Sequence, residues 1–101
     1  MTQLEKDIER RLRREVEALG GLCLKWVCPG WSGVPDRIAL LPGGRVYFIE
    51  LKRPKGGKIS KMQWYWQQRL AGLGLQHRFI WDEKTLENFI KSIGDATHET
   101  D

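Results

Sequence analysis

Asp36 and Glu50 stand at the two open ends of one candidate β-hairpin, and that hairpin constrains the chain more than any other segment. Residues Asp36 to Leu41 and Arg45 to Lys52 read as strands, joined by the Gly-containing turn Pro42-Gly43-Gly44. If Leu41 faces Arg45 across that turn, counting back sets Asp36 opposite Glu50. Directly opposed residues hold their Cβ atoms roughly 4.5 to 5.5 Å apart, and like charges there repel unless something neutralises them. Side chains two apart on a strand leave from one face, so Lys52 points the same way as Glu50. The run Val46 to Leu51 is apolar nearly throughout and reads as a buried central strand, in which a carboxylate needs a partner. A hard divalent cation meets that need, since Mg²⁺ typically takes one or two carboxylates and completes its octahedron with water and phosphate oxygens. The register carries the inference: a one-residue slip sends Asp36 to the other face.

The rest of the chain supplies one domain. At 101 residues, with 41% hydrophobic side chains and five Trp expected to fill a core, it has room for a single hydrophobic centre. No stretch approaches the roughly 20 apolar residues of a membrane span, and the N-terminus lacks an apolar signal core. An intracellular, cytoplasmic location is the expectation. Leu4, Ile8, Leu12, Val16 and Leu19 recur at helical spacing until Gly20-Gly21, which marks a first helix. Leu22 to Val27 reads as a strand, and Cys28 to Gly33 as a loop leading into the hairpin. Ser60-x-x-Gln63 is a capping box opening a second helix, with Met62, Trp66, Leu70 and Leu73 as its inner stripe. Gln76 to Trp81 reads as a fourth strand. Asp82 caps a third helix bearing Leu86, Phe89, Ile90 and Ile93. The order α-β-β-β-α-β-α predicts an α/β fold with a mixed sheet flanked by helices, as one domain over 1–94 and a polar C-terminal tail over 95–101.

Charge is unevenly placed. The net charge of +4 conceals a balanced first helix and an acidic C-terminal stretch, while Arg45, Lys52, Arg53, Lys55, Lys58 and Lys61 face only Glu50 between positions 45 and 61. A basic loop beside a carboxylate pair suits a polyanion, and phosphate contacts dominate nucleic-acid affinity. Other chemistries fit less well. Cys23, Cys28, His77 and His98 lack the spacing of a zinc site, and Cys23 alternates as a small core residue does. Gly56-Gly57-Lys58 lacks the upstream Gly and following Ser/Thr of a P-loop.

In order along the chain stand Glu5-x-x-Ile8, Lys25, Gly33-Val34-Pro35-Asp36, Ile49-Glu50-Leu51-Lys52 and Ser60-x-x-Gln63. This ordered set resembles the virus-type replication-repair nuclease domain, VRR-NUC, of the PD-(D/E)XK superfamily, over most of the chain. The resemblance implies the restriction-endonuclease-like core αβββαβ, here with an extra C-terminal helix. It also implies hydrolysis of DNA phosphodiesters with Mg²⁺ or Mn²⁺, and a homodimer acting on branched DNA such as four-way (Holliday) junctions in phage or bacterial replication and repair. Asp36 and Glu50 would then be metal ligands, with the Leu51 carbonyl as a further one. Lys52 would orient or deprotonate the attacking water, or stabilise charge on the phosphate. Two neighbouring carboxylates hold its ammonium charged, which favours stabilisation.

The remaining candidates each have two readings. Glu5 is the expected acid from helix one and Glu9 its rival: at 100° per residue they lie about 40° and about 80° from the centre of the apolar stripe. Gln63 is both capping-box residue and family motif position. Lys25 reaches phosphate or points to solvent. Trp31, in a Gly-Pro loop, stacks on a base, packs at a dimer interface or anchors its loop. Arg53, Lys55, Lys58 and Lys61 complete the expected DNA-binding set. The competing function is a non-catalytic nucleic-acid-binding module whose acid pair is structural; a small scaffold protein leaves the acid pair unexplained.

Overall fold

The computed structural model describes residues 3–52 and 58–99. Helix α1 (Gln3–Ala18) leads to strands β1 (Leu22–Lys25), β2 (Arg37–Leu41) and β3 (Arg45–Leu51), then α2 (Lys61–Gly72), β4 (Gln76–Ile80) and α3 (Glu83–Glu99). The strands form one sheet in the order β1-β2-β3-β4. The first three pair antiparallel, and β4 joins β3 in parallel after the α2 crossover. This is the mixed, helix-flanked sheet expected from the element order, with each strand one or two residues shorter than its apolar pattern.

The hairpin register decides where the acids go. Leu41 pairs with Arg45 and Arg37 with Ile49, so the ladder carried one residue further sets Asp36 opposite Glu50. The same count assigns the faces. Tyr47 and Ile49 lie in the core with Ala39, Leu41 and Ile80, and are covered by Ile8, Leu12 and Val16 of α1 and Leu86, Phe89 and Ile93 of α3. Phe48 and Glu50 therefore project from the opposite face, where α2 lies.

Helix α1 stops where a Schellman arrangement closes it: Gly20 N–H donates to the Glu17 carbonyl and Gly21 N–H to the Val16 carbonyl. Gly20 has φ +88°, and at Gly21 a Cβ would sit 2.3 Å from the Leu40 carbonyl oxygen, so the helix passes to the sheet at a distance that only glycine permits. Arg11 ties α1 to α3 through Glu83, at 2.8 Å, and through Glu87. Asp82 caps α3 as expected, its Oδ1 accepting from the Thr85 N–H at 2.8 Å.

Three expectations are corrected. The α2 stripe is not buried: no residue of the helix is, Trp66 and Leu70 are half-covered, and Met62 and Leu73 are exposed. A 3.6-residue period reports which side of a helix is apolar and says nothing about how much protein covers it. None of the five Trp, expected to fill the core, belongs to it. Finally, residues 95–99, read as tail, continue α3. A single glycine costs a helix only about 1 kcal/mol, and Gly94 does not take the positive φ that would end it. Among the described residues no helix is long and apolar enough to cross a membrane.

His77 on β4 is buried, and its Nδ1 has no hydrogen-bond partner. Burial, with help from the neighbouring Arg78 charge, lowers its pKa from 6.5 to about 4. Between those values the unfolded chain binds a proton that the folded chain refuses, so stability falls as pH drops through that window. Urea unfolding at pH 7 and pH 5 should show wild type losing on the order of 1 kcal/mol more than His77→Phe. Parallel losses in the two proteins would show that this histidine does not set acid stability.

Candidate active site

The site is assembled at one end of the sheet, between α1 on one face and α2 on the other. Asp36 ends the loop entering β2, where its carbonyl accepts from the Trp26 N–H at 2.9 Å and extends the β1–β2 ladder by one step. Its Oδ1 accepts from the Leu51 N–H at 3.2 Å, which fixes the carboxylate beside the end of β3. Glu50 is only 7% exposed. Lys52 continues β3 by one bond, from its N–H to the Ile80 carbonyl at 2.9 Å, so its side chain leaves on the face of Glu50.

The electrostatics follow from burial. Desolvation and then the charge of Asp36 push the Glu50 carboxyl up to about 7, against the opposing influence of Lys52 and Arg37. Asp36 is also raised, by desolvation first, with the Leu51 N–H and Arg37 pulling it down and Glu9 pushing it up. Two desolvated carboxylates that each disfavour the other's charge are the donor set a hard divalent cation relieves. Among the described residues no third His, Cys, Asp or Glu joins them as a metal-binding cluster. The residues present fit a hard divalent cation that takes oxygen ligands, the Leu51 carbonyl being at the same strand end.

Arg37 is the residue that sequence reasoning missed. It is 7% exposed and on the α1 face, its Nη2 lying 2.8 Å from Glu9 Oε1 and its Nη1 donating to the Asp36 carbonyl at 2.8 Å. A signal was present: strand alternation puts Arg37 with Ala39 and Leu41 on the inner face, where an arginine needs a carboxylate. Glu9, expected as the rival of Glu5, is that carboxylate. Glu5 lies half-buried in the first turn of α1.

The other candidates are placed as follows. The Gln63 side-chain oxygen accepts from the Ser60 N–H at 2.9 Å and its own N–H donates to Ser60 Oγ at 3.1 Å, so the capping role is formed. Gly33, before the Pro35-Asp36 pair, packs on that helix start: a Cβ there would lie 2.5 Å from Met62 Cβ. Lys58 and Lys61 are exposed at the same end. Lys25 is exposed too, but its pairing with Arg37 puts it on the α1 face rather than that of Glu50 and Lys52. Arg53 and Lys55 lie outside the described residues. Trp31 is 63% exposed and meets Trp66 edge-on at 5.7 Å. Cys23 is half-buried against the core, and burial pushes its thiol up to about 11, as suits a small apolar residue.

An acid before one strand, an acid and a lysine two residues apart on the next, and a mixed sheet with helices on both faces define a restriction-endonuclease-like nuclease fold. A solved structure described as a "VRR_NUC domain" superposes with a TM-score of 0.81 at 28% identity, covering 89% of this chain and 97% of that one. A protein of Acyrthosiphon pisum secondary endosymbiont phage 1, described as "Putative nuclease p44", is 38% identical over 89 residues, 88% of this chain and 94% of the phage protein. No family model matches the chain. The chain belongs to the VRR-NUC nuclease domain family.

The Arg37–Glu9 pair ties α1 to the strand carrying Asp36. Arg37→Gln should lower unfolding free energy by about 2 kcal/mol, less than for a fully buried pair because Glu9 is partly solvated. A double-mutant cycle with Glu9→Gln should show coupling between the two; strict additivity would mean the pair does not join helix to sheet.

Proposed function

We propose that the protein is a divalent-cation-dependent endonuclease that hydrolyses DNA phosphodiester bonds, with Mg²⁺ or Mn²⁺ held by Asp36 and Glu50. The observation carrying this reading is the desolvated, mutually repelling acid pair with Lys52 on the same face. A structural acid pair in a mere binding module would be disfavoured by the same burial with only Lys52 and Arg37 to offset part of it. Membership of a nuclease family adds support, as does the phage origin of the relative.

Each residue then has a task. Asp36 and Glu50 present oxygen donors from two adjacent strands, Asp36 steadied by the Leu51 N–H. A bound cation supplies Lewis-acid polarisation of the phosphate and a more acidic water. Lys52 offers its ammonium to the negative charge that builds on the phosphoryl oxygens as the P–O bond breaks. Arg37 holds the Asp36 carbonyl and engages Glu9 in an ion pair, which leaves Glu5 as the helix acid assigned to orient water. Gln63, through its cap, fixes the start of α2 and with it Lys61 and Lys58, which attract the backbone phosphates. One centre of this size cuts one strand, so paired cuts in branched DNA require a second copy related by a two-fold axis.

The test is cleavage of linear duplex, single-strand, flap and four-way-junction DNA in Mg²⁺, Mn²⁺ or EDTA. Cleavage should require the metal, and Asp36→Asn, Glu50→Gln and Lys52→Ala should each lower it by at least about 100-fold. Calorimetric titration of Mn²⁺ should show binding to wild type that Glu50→Gln loses. Product formation in EDTA, or unchanged rates in Lys52→Ala, would overturn the assignment.

A further inference from the structure

Four of the five tryptophans, Trp26, Trp31, Trp64 and Trp66, gather on the α2 side of the molecule instead of filling the core. Three of them line a cleft with Pro35, Phe48 and Leu70, whose volume is about 160 Å³. We propose that this cleft takes up one unstacked nucleobase of the substrate strand, immediately beside the Asp36–Glu50 centre. The inference rests on the nuclease reading and specifies the part of the nucleic acid that the centre receives.

Size and shape come first. An apolar cavity of about 150 Å³ accommodates a benzene ring, so this cleft suits one planar ring system and is too small for a helix or a sheet edge. Its walls are aromatic pairs set edge-on: Trp31 against Trp66 at 5.7 Å and 77°, and Trp26 against Phe48 at 5.6 Å and 87°. Such a box offers ring faces to a guest, and every base has a π-face to stack on them.

The cleft is also built in advance. Trp66 Nε1 donates to the Ser32 carbonyl at 3.0 Å, clamping the loop to α2. Gly33, at φ +80°, lies against Met62 too closely for any side chain. A pre-formed slot avoids ordering a loop when the base enters.

Position and charge then choose the guest. Pro35 is the neighbour of Asp36, and Phe48 shares the sheet face of Glu50 at two residues, roughly 6.6 Å along the strand. Lys61 opens α2 beside Gly33, and Lys52 and Lys58 stand at the same end. A base in the cleft would thus have its own backbone phosphates near ammonium groups and the acid pair. A second copy of this chain, presenting an apolar side chain, would gain nothing from that cationic border.

The experiment uses the full chain, Trp31→Ala and Trp31→Phe, with a matched duplex and the same duplex carrying an unpaired 2-aminopurine near its centre. Stacking on tryptophan should quench the probe in wild type and Trp31→Phe but not in Trp31→Ala. In Mn²⁺, Trp31→Ala should lose about 10- to 100-fold in kcat/KM on the unpaired substrate, Trp31→Phe should recover most of it, and the loss on the matched duplex should be clearly smaller. Thermal melts confirm that these variants of an exposed side chain remain folded. Equal losses on both substrates, or no loss on either, would overturn the cleft. So would light scattering in which Trp31→Ala converts a dimer to monomers, because the cleft would then hold another copy. If wild type cleaves nothing yet quenches the probe, the cleft stands and the nuclease reading falls; absence of both removes both.

Discussion

Two carboxylates withdrawn from water at the end of one strand set the terms for everything around them. Glu50 is buried because β3 is paired on both sides, antiparallel to β2 and parallel to β4, and Asp36 is brought to it by the β2–β3 register. Burial raises the affinity of both for protons and the charge of Asp36 raises that of Glu50 further, so the arrangement depends on positive charge nearby. Lys52 and Arg37 provide part of it. Arg37 is itself buried and in turn requires Glu9, which makes the first helix a dependent of the site's charge balance. A chain of compensating charges therefore runs from β3 through β2 to α1, and the orientation of that helix is a consequence of it as much as of its apolar stripe.

The sheet's two faces do different work. Side chains of α1 and α3 cover the centre of one face, with Leu12, Val16, Leu86 and Ile93 excluded from solvent. The α2 face is aromatic and half open, with rings meeting edge-on and no buried residue in the helix. The first face is packed and the second is left accessible. Acids projecting toward the open face, with lysines at the same end, leave a polyanion room to approach without disturbing the core.

Several features were legible because the interactions behind them are local. The capping boxes at Ser60-x-x-Gln63 and at Asp82 formed because their donors and acceptors lie three residues apart. The opposition of Asp36 and Glu50 followed from a three-residue turn, which fixes register once Leu41 meets Arg45. Burial was less legible. The sharply segregated aliphatic stripe of α1 is covered by both sheet and α3, whereas the apolar residues of α2, Met62, Trp64, Tyr65 and Trp66 among them, are spread more widely around the helix and are not buried. Gly94 suggested an end to α3 that the helix does not take.

From its order of residues alone the chain determined one hairpin and one acid pair with a lysine beside it, because strand alternation and turn length act over a few residues, and its ordered motifs carried the resemblance to the family. The tertiary structure decided which partner each charge finds and which aromatic rings stay open. Glu9 takes Arg37, and three of the tryptophans line a cleft beside the acids. Those outcomes depend on how far α1 and α2 extend over the sheet, a packing distance between segments tens of residues apart that no local pattern encodes.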